Sequence, residues 1–239
     1  EIAQCLVGSE MCIRDRLYLP GLGQNLSGPY FLYTQIANSL PMLFHKQIEY
    51  YGFGNSAGEL HEVEYMDIEN EIDWFCSKMS LEYNHFYIVS SGFSSSLAVK
   101  MSQKYLAKNI MLDPFFGNLK SLQSVIYIDN CVRSENYIDT AEIYENCDDS
   151  EKLFRILGES YNRTKGLYLS SSLLNTMISN YELSNVRKET QIYLSEDFVV
   201  DEIPDDLNLH SYKCDNIFMR PIVRNQIIIA ISKEFEGSK

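Results

Sequence analysis

Short apolar runs along this chain alternate with longer stretches in which apolar residues return every three or four positions. The runs at 17–20, 46–51, 86–90, 109–113, 190–194 and 207–212 read as strands. Helical spacing marks 30–40, 64–79, 95–106 and a last stretch at 219–235. In 64–79, for instance, Met66, Ile68, Ile72, Phe75 and Met79 recur near the helical period. A strand that is apolar throughout is buried on both faces. Such strands alternating with helices predict an α/β protein in three layers, a mostly parallel sheet with helices on both sides. Residues 115–186 break the rhythm. They are polar and helix-prone, with acidic positions such as Glu145, Asp148 and Asp149, and read as a helical cap inserted into one domain spanning 17–239.

Composition narrows the partners. The chain has 239 residues, 45% of them hydrophobic, enough for one sizeable core. Its formal net charge of -13 repels phosphate backbones and anionic lipid heads, so neither nucleic acid nor a membrane surface is expected as a partner. No apolar run approaches the length of a bilayer span. The six cysteines form no CxxC pair and no zinc-like spacing with the four histidines. Scattered single thiols fit a reducing compartment, and the expectation is a cytoplasmic protein. No metal or organic cofactor is implied.

The N-terminal residues stand apart. Leu6-Val7-Gly8-Ser9-Glu10-Met11-Cys12-Ile13-Arg14-Asp15-Arg16 resembles the conceptual translation of a transposase adaptor used in sequencing libraries. On that reading residues 1–16 are foreign, the gene began upstream, and the fold's opening strands are missing. Leaving the segment out shifts the net charge by one unit, so the acidic character stands.

The chemistry concentrates after the 86–90 strand. Gly92-Phe93-Ser94-Ser95-Ser96 has the form G-x-S-x-S between a strand and a helix. A nucleophile elbow is a sharp strand-to-helix turn that lifts a strained serine above the sheet edge, with small residues two positions either side. Ser94 is then the candidate nucleophile. The helix that follows aims its first N–H groups at the reacting centre, where the Ser95 N–H helps hold a developing oxyanion. Pro20-Gly21-Leu22-Gly23, after the first strand, offers the second donor at the Leu22 N–H. Both strings also fit ordinary turns that need small residues for backbone reasons alone.

With these motifs in place, the chain resembles the α/β-hydrolase superfamily, near its serine aminopeptidase-like branch. It is most similar there to the small hydrolases associated with the exosortase A system. Leu19-Pro20-Gly21-Leu22-Gly23 matches the family's strand-then-HG turn, with proline for histidine. Tyr51-Gly52-Phe53-Gly54-Asn55-Ser56-Ala57-Gly58 resembles its R-G-x-G-x-S-x-G loop, and 88–98 resembles its elbow. Lys165-Gly166-Leu167-Tyr168-Leu169-Ser170 begins a stretch similar to a segment of its cap. The resemblance implies a three-layer α/β-hydrolase fold with a cap. It also implies an acid after the strand that follows the cap, where Asp197 fits with Glu196 as the spare. Asp113, at the end of an earlier strand, is the alternative.

One part of the pattern fails. This fold orders its triad as serine, acid, histidine. His45, His61 and His85 precede Ser94, and only His210 follows it. The loop where the histidine is expected carries Asp215 and Asn216 instead, and His210 falls within a strand. A serine without a base is a weak nucleophile. Two functions therefore stand side by side. One is a serine hydrolase acting on a small-molecule ester, thioester or amide with Ser94, His210 and Asp197. The other is a catalytically degenerate hydrolase fold that binds a small molecule or a protein partner.

Overall fold

The computed structural model describes residues 15–21, 24–53, 55–58, 63–83, 85–114, 163–164, 167–168, 173, 176, 186–195, 207–214 and 217–237. Its strands are β1 (Arg16–Leu19), β2 (His45–Gln47), β3 (Tyr87–Gly92), β4 (Lys108–Pro114), β5 (Arg163–Thr164), β6 (Leu167–Tyr168), β7 (Gln191–Ser195) and β8 (Asn208–Tyr212). Its helices are α1 (Leu32–Ser39), α2 (Tyr65–Glu82), α3 (Ser94–Tyr105) and α4 (Pro221–Gly237). Six strands form one sheet in the order β2-β1-β3-β4-β7-β8, every pairing parallel. β5 and β6 form a separate antiparallel pair.

The two-residue alternation of strand side chains explains the layering. Leu17, Leu19 and Ile88 face one side, where they meet Ile68, Ile72, Cys76 and Met79 of α2 and Leu97, Ala98 and Met101 of α3. Tyr18, Tyr87, Val89, Ile110, Leu112 and Tyr193 face the other, against Leu32, Tyr33 and Ile36 of α1 and Ile227, Ile231 and Phe235 of α4. The sheet is thus sandwiched between helices, as its apolar strands require.

Element ends differ from expectation where backbone chemistry intervenes. The expected helix at 30–40 begins with a single 3-10 turn, Pro29–Phe31, because Tyr30 and Phe31 hold left-handed φ values of 49° and 62°. α2 starts where the Glu64 N–H donates to Asp67 Oδ2 at 3.0 Å, a capping contact. Asp15 and Arg16, within the stretch set aside as foreign, are buried, and Arg16 opens β1 opposite His45 and Tyr87. The Arg16 guanidinium lies over the Phe235 ring, 4.4 Å from its centroid. Residues 1–14 lie outside the described residues, as does the expected cap except for β5, β6 and the single positions 173, 176 and 186. Among the described residues no helix is long and apolar enough to cross a membrane.

Candidate functional site

Strand order fixes where a ligand can sit. From β1 the chain crosses to β2 on one side, then returns to β3 on the other. The crevice beyond the C-terminal ends of β1 and β3 is a topological switch point, the usual ligand position in open α/β sheets. Two turns meet there, one after β1 at Pro20 and Gly21, the other between β3 and α3. They touch closely. A Cβ on Gly21 would lie 2.9 Å from Gln24 Nε2 and 3.0 Å from the Ser91 carbonyl oxygen, so this close approach favours glycine. The Ser94 hydroxyl donates to the Pro20 carbonyl and ties the turns together.

The strand-to-helix bend itself turns on Gly92. Its φ is 55°, in the left-handed region, and the pairing with β4 shifts register between Ser91 and Gly92. Ser94, expected at the tip of the bend, lies two residues further on, as the first residue of α3. It is not among the positive-φ residues. The string therefore reads small-x-tip-x-small as Ser90-Ser91-Gly92-Phe93-Ser94, with a glycine where a nucleophile would stand. Ser94 takes the place of the second small residue, packed against the turn after β1.

Ser94 is fully buried, with 0% of its surface exposed. Besides the Pro20 carbonyl, its oxygen meets the Tyr50 hydroxyl at 2.9 Å. With the serine proton on Pro20, Tyr50 is the donor. Burial holds the Tyr50 phenol well above its ordinary range, so it stays protonated. Neither partner can take the serine proton at neutral pH, and a serine activates only when a neighbour does so. Tyr50 in turn packs with Phe53 and Phe93, ring centroids 5.4 Å and 6.0 Å away. Phe53, in the Gly- and Ser-rich loop after Tyr51, thus packs its ring against both Tyr50 and Phe93 of the bend.

The expected base is elsewhere. His210 lies on β8, separated from β3 by β4 and β7. Three strand spacings amount to about 14 Å. Its Nε2 meets Gln191 Oε1 at 2.8 Å, and its ring stacks on Tyr193 with centroids 4.6 Å apart. Desolvation lowers its pKa, countered by Glu234. The Ser94–His210 pair expected from the sequence is not formed, because a mid-strand histidine is held by its cross-strand neighbours. Ser95 is buried in the first turn of α3, its oxygen 3.3 Å from Ser90 Oγ. Leu22, Asp197, Glu196, Asp215 and Asn216 lie outside the described residues.

Asp113 lies beside the bend, since its neighbour Pro114 pairs with Gly92. Its Oδ1 accepts the Ser195 N–H at 3.0 Å, and the carboxyl also meets the Ile217 N–H. Burial pushes its pKa up to about 6, against the lowering effect of those donors. Among the described residues no group of three or more His, Cys, Asp or Glu could hold a metal ion.

Sequence reading missed four residues of this site. The Gln24 side-chain oxygen accepts the Gly21 N–H at 2.7 Å and the Ser91 hydroxyl at 2.6 Å. The Tyr33 hydroxyl reaches Ser91 Oγ at 3.0 Å and the Leu19 carbonyl at 2.8 Å. Tyr50 completes the set. Only one signal could have found part of it: centring the small-x-tip-x-small pattern on Gly92 rather than Ser94.

Comparison with solved structures agrees with this architecture. Alpha/beta hydrolase domain-containing protein 10 from mouse superposes with a TM-score of 0.59 at 11% identity, covering 94% of this chain and 90% of that one. Est1E from Butyrivibrio proteoclasticus, solved with ferulic acid bound, gives 0.59 at 12% identity over 94% of this chain and 88% of its own. A soluble variant of monoglyceride lipase from Saccharomyces cerevisiae, in complex with a substrate analog, gives 0.58 at 13% identity over 94% and 86%. No family model matches the chain, and no curated protein matches it by sequence. The parallel sheet, its strand order and the helices on both faces are those of the α/β-hydrolase fold, and this chain has that fold.

Proposed function

We propose that this protein is an α/β-hydrolase-fold binding protein that holds a small carbonyl-bearing molecule at the switch point and forms no acyl-enzyme on Ser94. The observation that carries the reading is the glycine at the bend. Gly92 occupies the left-handed position, while the Ser94 hydroxyl is buried on the Pro20 carbonyl. Covalent catalysis would need that hydroxyl exposed and facing a base. Scattered single cysteines without a CxxC pair support a reducing compartment such as the cytoplasm.

The competing reading is a serine hydrolase acting on an ester, thioester or small amide. It is favoured by fold relatives such as monoglyceride lipase and the ferulic-acid-bound Est1E. Reaction of the wild-type protein with a fluorophosphonate probe, followed by peptide mass spectrometry, separates the two. The expected result is no adduct and no hydrolysis of p-nitrophenyl butyrate above background. A phosphonylated Ser94 would overturn the binding reading and establish the hydrolase.

A further inference from the structure

At the switch point two donors of the protein are satisfied by one of its own side chains. Two donors converge on the Gln24 amide oxygen, the Gly21 N–H at 2.7 Å and the Ser91 hydroxyl at 2.6 Å. The donors are rigid. Ser91 is fully buried on β3, and Gly21 is held by the close approach of the two turns. The Tyr33 hydroxyl lies 3.0 Å from Ser91 Oγ and 2.8 Å from the Leu19 carbonyl, which share its one proton. Burial raises the Tyr33 pKa, so this hydroxyl keeps its proton. The acceptor is different in kind. Gln24 is only partly buried and lies outside regular secondary structure, its backbone N–H donating to the Gly21 carbonyl at 3.1 Å while its side chain is the part that can move.

We propose that Gln24 is a displaceable internal ligand, and that the pocket formed by the Gly21 N–H and the Ser91 hydroxyl takes a carboxylate oxygen of a small organic acid. The inference rests on the binding reading above and names its ligand class. A carboxylate oxygen is a stronger acceptor than an amide oxygen, because charge-assisted hydrogen bonds are roughly twice as strong as neutral ones. α3 begins two residues beyond Gly92, and its N-terminal dipole favours a negative occupant at this edge of the sheet. Gln24 keeps the two donors satisfied when no acid is bound, since buried donors left without partners are costly. The affinity of the acid is then lowered by the need to move Gln24 aside.

Pro20-Gly21 is the single Pro–Gly pair in the sequence, so carbonyl-labelled proline with ¹⁵N-glycine isolates the Gly21 amide in an NMR spectrum. Butyrate and butyramide are titrated into the wild-type protein and into Gln24→Ala. The expected result is a shift of the Gly21 amide with butyrate, about tenfold tighter in Gln24→Ala than in wild type, and weaker binding of butyramide in both. Equal butyrate affinities in the two proteins would overturn the displacement. A Gly21 amide silent to butyrate in Gln24→Ala, or butyramide binding as tightly as butyrate, would overturn the carboxylate pocket. A silent Gly21 in a protein whose Ser94 is inert to the fluorophosphonate refutes this inference alone. A labelled Ser94 refutes the reading beneath it.

Discussion

At the scale of single residues, the site is defined by what its hydroxyls are already doing. Ser94 donates to a backbone carbonyl and accepts from Tyr50 in a fully buried position. That is the work of a structural clamp between two turns. Ser94→Ala leaves the Pro20 carbonyl and the Tyr50 hydroxyl without partners, and buried polar groups left unsatisfied cost about 1–3 kcal/mol each. Urea denaturation of Ser94→Ala is therefore expected to show a loss of about 2 kcal/mol. Tyr50→Phe is expected to cost about 1 kcal/mol. Because the two side chains share one hydrogen bond, the double variant should lose less than the sum of the singles. Strict additivity would mean that the pair is not formed.

At the scale of elements, the helix following the bend carries a local misfit at its far end. α3 terminates at Leu106 in the left-handed conformation, φ 54° and ψ 30°. The Leu106 side chain is 69% exposed, so little packing repays the strain. A glycine at this position of a helix end adopts the same backbone without a Cβ clash. Leu106→Gly is expected to stabilise the protein by about 1 kcal/mol and to raise Tm by about 3 °C. An unchanged or lower Tm would show that Leu106 makes contacts outside the described residues. The same scale shows what patterning can deliver. The alternation of apolar strands with helically spaced stretches located every strand of the main sheet to within a few residues. It could not foresee the 3-10 turn before α1, since two left-handed aromatic residues contradict their own local preference.

At the scale of the whole molecule, Asp113 couples separate parts of the chain. It ends β4 and accepts N–H groups from Ser195, at the end of β7, and from Ile217, just before α4. Its pKa is pushed up to about 6 by burial, above the ordinary 3.8. Between these values the folded chain holds a proton that the unfolded chain has released. Its contribution to stability is thus greatest below the unfolded value and is lost as pH rises through the folded one. The loss amounts to as much as about 3 kcal/mol. Asp113→Asn cannot titrate, so its stability relative to wild type is expected to rise by that order between pH 4 and pH 8. Denaturation midpoints at both pH values measure it. A constant gap would place the carboxyl in a more solvated setting than the one seen here.

Local patterning along the chain is enough to set the layers. Apolar strands buried on both faces and amphipathic helices are local periodicities, readable from neighbouring residues, and they leave a parallel sheet between helices as the stable solution. Which residue of the Ser- and Gly-rich string turns the corner, and which hydroxyls remain available for chemistry, emerges from the folded arrangement alone. Those outcomes rest on contacts between distant segments, such as Ser94 with Pro20 and Ser91 with Gln24. Likewise His210 has the right place in chain order and the wrong place in space, because strand order carried it to the sheet edge. A motif fixes residue types along the chain. Their roles follow from what each side chain meets once the strands are arranged.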